Sequence, residues 1–189
     1  MAQNPNFRLN GNYTSQDSLD LLQAYTDARL AVDSLNEQMQ LIWNSESLEA
    51  SEAAWNQNTQ FTKWLGSPKN MVKAKRVIKR IDAKFNKRMT LVVKRQNRGR
   101  CKGWISAWTL PFGPVRIRFC DDYFLYRTNL QAKTFVHELG HEAGLIFHRR
   151  IHGFRSALRA ASTHDSVAKK SPENYAWLAM SYLDMPGWE

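Results

Sequence analysis

The sequence predicts an α+β fold, mostly helical, with one small antiparallel sheet. Two observations carry this. Apolar residues recur at helical spacing in the first and last parts of the chain, and short strand-like runs occupy the middle. The composition is also globular, with 43% hydrophobic and 12% aromatic residues in 189. That length suits one domain with a proper core. The domain is expected over 16–189, after a polar, Asn-rich and loose stretch, 1–15.

Over 18–43, Leu19, Leu22, Tyr25, Ala28, Val32, Leu35, Met39 and Ile42 mark a long amphipathic helix. A more polar helical stretch, 47–64, stops at Leu65-Gly66-Ser67-Pro68. A third helix, 68–87, buries Val72, Val77, Ile78, Ile81 and Phe85 and turns basic residues outward. Strand-like runs follow at 90–94, 104–109 and 115–119; the last alternates apolar and basic residues. Helical spacing returns over 131–144, with Gly144 as its stop, and again over 154–161 and 173–183.

Lys and Arg outnumber Asp and Glu by 27 to 17, a net charge of +10 that favours acidic partners or anionic surfaces. Much of the excess falls in 73–102, which reads as a solvated helix face and a loop. No nucleic-acid motif accompanies it, so nucleic acid is not the expected partner. The sequence has no apolar run of about 18 residues, so no membrane span is expected. The first residues lack a basic start followed by an apolar core, so export would use a route without a recognisable signal peptide. Cys101 and Cys120 flank two short strands; a hairpin would bring them together, and two separate buried thiols are the other reading.

Residues 137–141 read His-Glu-Leu-Gly-His. On a helix, His137 and His141 lie one turn apart on one face and can aim two imidazoles at one ion. Zinc accepts such ligands, with one position kept for water. Glu138 then sits beside the metal-bound water as its general base. Two helix histidines hydrogen-bonded in a core are the bland alternative. A catalytic zinc needs a third protein ligand, and His148, His152, His164, Asp165 and Glu173 are the candidates. Gly144 permits the chain to turn and return His148 to the metal. His148 and His152 are four apart, so one could ligate while the other hydrogen-bonds a developing oxyanion.

Several segments together resemble the aspzincin metallopeptidases, the deuterolysin and peptidyl-lysine endopeptidase group. They are Lys63-Trp-Leu-Gly66 with the helix after it, Cys101 through Ile117-Arg-Phe-Cys120, Thr134 through His141, and Pro172-Glu-Asn-Tyr-Ala-Trp-Leu-Ala179. The resemblance implies a zincin-like peptidase domain binding one zinc ion, a Cys101–Cys120 disulfide and an oxidising place of action. It also implies that the strand near 104–108 is an edge to which an extended peptide adds. The sequence departs from the family at the third ligand. The family's Asp falls on Arg149, which cannot bind zinc, and its Tyr-Gly falls on His152-Gly153. A one-residue slip puts His148 in the ligand position. A second alignment, through Ser162-Thr-His-Asp165, makes Asp165 the ligand and leaves Ala168 where the Tyr belongs. Glu173 occupies a position where lysine-preferring members carry an acidic side chain for the substrate ammonium.

The expected function is a zinc-dependent endopeptidase acting on a protein or peptide. The expected setting is secreted or periplasm-acting, as a delivered bacterial effector or toxin, with a cognate inhibitor if it is a toxin. The competing reading is a disabled peptidase that binds a protein partner or an anionic surface.

Overall fold

The computed structural model describes residues 7–43, 47–94, 99–101, 105–110, 113–145 and 151–183. The chain is mostly helical around a four-stranded sheet, in the α+β arrangement the sequence predicts. The sheet itself is mixed, with order β1-β2-β4-β3, where β1 is Phe7–Gly11, β2 Met89–Lys94, β3 Ala107–Thr109 and β4 Arg116–Cys120. β1 and β4 both run parallel to β2, and only β3 with β4 is antiparallel. The expectation of an antiparallel sheet is corrected for a topological reason. Four helices carry the chain from β1 back to the start of β2, and β3 reverses it before β4. Both detours return the chain in the direction of β2.

β1 also falls inside the stretch expected to be loose. Phe7 and Leu9 pack against the core, while Arg8 reaches across to Thr90 at 3.2 Å. Two apolar residues among Asn are a weak strand signal, and β1 is fixed by pairing with the almost wholly buried β2.

Helix α1, Ser15–Trp43, begins earlier than its apolar stripe because Thr14 and Asp17 form a reciprocal cap. The Asp17 carboxylate accepts from the Thr14 N–H at 2.8 Å, and the Thr14 hydroxyl accepts from the Asp17 N–H at 3.1 Å. The polar stretch expected as one helix is two, α2 Leu48–Gln57 and α3 Thr59–Leu65. Asn58 divides them by accepting from the N–H groups of Gln60 and Phe61, each at 3.1 Å. Helix α4, Met71–Phe85, buries Met71, Ala74, Val77, Ile78, Ile81 and Phe85, while Val72 stays outside.

Helix α5, Thr128–Glu142, carries the His-Glu-Leu-Gly-His segment and packs between α1 and α8, Pro172–Met180. Every residue of α8 is buried, as expected for a helix surrounded by others. Gly140 lets α5 and α8 approach closely: a Cβ there would lie 2.8 Å from Cβ of Pro172. Before α8 come α6, Phe154–Thr163, and the short α7, Asp165–Ala168. Asn174 ties three helices by donating to the carbonyls of Trp64 at 2.7 Å and Ala157 at 2.8 Å. A disulfide joins Cys101 and Cys120 across a Cα separation of 5.4 Å, fastening the segment before β3 to the end of β4.

Candidate metal centre

Helix α5 places the rings of His137 and His141 one turn apart, with centroids 4.9 Å from each other. Each ring is held at Nδ1 by a different element. His137 Nδ1 lies 2.7 Å from Oε2 of Glu173 on α8. His141 Nδ1 lies 2.7 Å from the carbonyl oxygen of Leu145. The second contact follows from how α5 ends. Gly144, at φ +93°, donates to the His141 carbonyl, and Leu145 donates to the Gly140 carbonyl. This paired closure turns the chain back so that the Leu145 carbonyl meets the ring it follows by four residues. Acceptors at both Nδ1 positions favour the Nδ1–H tautomer, in which Nε2 is the nitrogen with the lone pair a metal would need.

Glu173 is the most heavily bonded carboxylate in this region, with 1% of its surface exposed. Oε1 accepts from Lys133 Nζ at 2.6 Å, the Gly153 N–H at 2.9 Å and the Trp177 indole at 2.9 Å. Oε2 takes His137 and a second contact from Lys133 at 2.7 Å. Burial alone would raise its pKa, but these donors and the Lys133 charge outweigh burial and hold it well below the usual carboxylate range. It is therefore a fixed anion. Burial lowers the pKa of His137, with the Glu173 contact opposing. Glu173, expected to meet a substrate ammonium, has an ammonium of the chain's own, from Lys133.

Glu138 is the opposite case. It is 5% exposed, and its Oε2 has no hydrogen-bond partner among the described residues. Burial pushes its pKa up to about 8, and the charge of Lys133 and the backbone of Thr109 pull it only part of the way back. A buried carboxylate oxygen without a donor is costly unless water or a cation completes it. Such an orphan oxygen, next to two imidazoles anchored at Nδ1, fits a divalent cation carrying a water.

The remaining candidates separate clearly. His152 comes to the centre: its ring lies 6.4 Å from that of His137, nearly parallel at 27°. The Gly153 bond to Glu173 fixes this approach. Asp165 is engaged elsewhere, by the Ser67 hydroxyl and by Lys169 Nζ at 3.3 Å. His148 lies outside the described residues. Among the described residues no group of three or more His, Cys, Asp or Glu side chains is placed to hold an ion. Of the described candidates, His137, His141 and His152 come together at this centre.

Three participants were not singled out from sequence. Lys133, one turn before His137, charges the Glu173 knot. Glu142 is buried and lies 2.6 Å from the Thr109 hydroxyl and 3.2 Å from Lys84, linking α5 to β3 and α4. Leu145 acts through its carbonyl. The first two had a readable signal, a charged residue on or beside the buried face of the metal helix; a backbone carbonyl has none.

No family model and no curated protein matches the chain. A solved structure of a zinc peptidase from Grifola frondosa matches with a TM-score of 0.69 at 15% identity, over 89% of this chain and 97% of that one. The chain therefore has the fold of a zinc peptidase, with a His-Glu-Leu-Gly-His helix at its centre.

Proposed function

We propose that this protein is a zinc-dependent endopeptidase. The observation that carries the reading is the pairing on α5 of two Nδ1-anchored imidazoles with a buried Glu138 whose Oε2 lacks a donor among the described residues. His137 and His141 would hold the ion through Nε2, with His148 as the proposed third ligand. Zinc, when bound, supplies Lewis-acid polarisation of a water and of the peptide carbonyl. Glu138 takes a proton from water at Oε2 and returns it to the leaving amine. A pKa of about 8 without the ion lies close to neutral pH, where one carboxyl can do both, and a neighbouring cation would lower it. His152 is positioned to donate to the developing oxyanion. Glu173 orients His137. Strand β3, at the end of the sheet order, offers an edge for an extended peptide.

The test combines metal analysis with cleavage of an unstructured protein such as casein. We expect one zinc per chain and cleavage abolished by a chelator. Glu138→Ala should keep zinc and lose cleavage by roughly 10²-fold or more. His137→Ala should lose both. Full activity in Glu138→Ala would overturn the mechanism.

The setting we propose is secreted or periplasmic, as a delivered effector or toxin with a cognate inhibitor. The Cys101–Cys120 disulfide supports an oxidising compartment. Recovery of the protein only from reduced cytosol, with both thiols free, would argue against it.

A further inference from the structure

Behind the metal helix, α4 and the turn that ends α5 border an open cleft of about 370 Å³. Lys73, Arg76 and Arg80 of α4, together with Lys170, line it beside Ala143, Gly144 and Leu145. The three α4 residues fall at i, i+3 and i+7, so one helix face delivers them all to the same space. Among the described residues that line the cleft there is no carboxylate. Lys73, Arg76 and Arg80 make no ion pair with any described residue, whereas Lys84, one turn beyond Arg80, pairs with Glu142 at 3.2 Å.

A bland account exists: cations gather at a helix C-terminus because its carbonyls carry negative charge. The magnitudes decide against it as a full explanation. The α5 terminus supplies about half an elementary charge. Two of its carbonyls are already taken by Gly144 and Leu145, and Glu142 already has Lys84. Lys73, Arg76 and Arg80 face what remains. Exposed like charges on one helix face repel one another weakly in solvent, and an anion bound among them would gain from all three. The size, at the lower end of small-ligand pockets, suits a compact anion better than a long polymer.

We infer that this cleft is a binding site for a multiply charged phosphate group, with the Arg76 and Arg80 guanidinium groups as its principal donors. Guanidinium donors match phosphate oxygens two at a time. The site would be independent of zinc and of peptide cleavage. Its wall includes Leu145, whose carbonyl holds His141, so the anion would sit against the turn that anchors a proposed zinc ligand.

The experiment is calorimetric titration of the full chain with pyrophosphate and tripolyphosphate in about 0.15 M salt. We expect saturable binding at one site, tighter for tripolyphosphate. Arg76→Gln/Arg80→Gln should weaken it roughly tenfold or more. Lys87→Gln/Arg88→Gln removes the same charge from exposed positions just past α4 and should weaken it less than about twofold. Vesicles with about 5% phosphoinositide distinguish the sources. Co-sedimentation that depends on Arg76 and Arg80 indicates a lipid headgroup, and its absence alongside probe binding indicates a free phosphate. The inference is overturned by equal weakening in the two double variants, by the absence of saturable binding, or by duplex DNA that displaces tripolyphosphate with both variants equally impaired.

Discussion

Lys133–Glu173 and Lys169–Asp165 are two lysine–carboxylate pairs, each with one nearly fully buried partner, and they hold different things. Where α5 meets α8, Lys133 is bound to Glu173, and the other partners of that carboxylate are an imidazole, an indole and a backbone N–H. Where α3 meets α7, Lys169 is 2% exposed and lies 3.3 Å from Asp165. The other partner of Asp165 is the Ser67 hydroxyl, while Lys169 also donates to the Ser67 carbonyl at 2.6 Å. The first pair aims a ring; the second closes a loop. Ionic contact alone does not distinguish them. What distinguishes them is what else the carboxylate holds, and a buried pair is in any case weak proof of stability.

The strongest way to break the contrast is Glu173→Gln. It strips the counter-charge from a nearly buried Lys133 and should destabilise the fold by about 3 kcal/mol, read as a urea midpoint. Zinc affinity should fall roughly 10- to 100-fold because His137 loses its anionic acceptor. Unchanged zinc affinity in a folded Glu173→Gln protein would remove the orienting role.

Lys169→Met is the matched change in the other pair. It removes the bond to the Ser67 carbonyl and leaves Asp165, already partly exposed, to water. A loss of about 1–2 kcal/mol is expected, with zinc affinity unaltered. A drop in zinc affinity here would show that the two regions are coupled.

The smallest effect concerns acid. The Ser67 hydroxyl and Lys169 hold Asp165 below its ordinary pKa of 3.8. A depressed carboxylate contributes stability above its unfolded pKa, and that contribution fades as pH falls through the lower folded value. Asp165→Asn should therefore flatten the acid limb below pH about 4 and change stability at neutral pH by less than about 1 kcal/mol. Identical acid limbs in both proteins would mean that Asp165 gains nothing from its partners.

Much of this was legible in the residues. Helical stretches covering every helix but the short α7, and three of the four strands, were read from the sequence, and the stop at Gly144 from its freedom to take positive φ. Two segments singled out in the sequence, Lys63-Trp-Leu-Gly66 and Pro172 through Ala179, meet in the structure, where Asn174 donates to the Trp64 carbonyl. The parallel pairing of β2 and β4 was hidden, because register and direction depend on how far apart in the chain the strands return. The division at Asn58 was hidden behind continuous helical composition. The role of Glu173 was hidden for a different reason. Its partner Lys133 is 40 residues away, and an acid that waits for a ligand looks the same in sequence as one already satisfied from within.

Pattern searches treat the two middle residues of His-Glu-x-x-His as wildcards, yet in this protein the second is mechanically committed. Any side chain at Gly140 would wedge against Pro172 and lever α8 outward. Glu173 is the next residue along, so the lever arm ends at His137. A single methyl group there, touching neither reactant nor ion, would loosen the centre from behind.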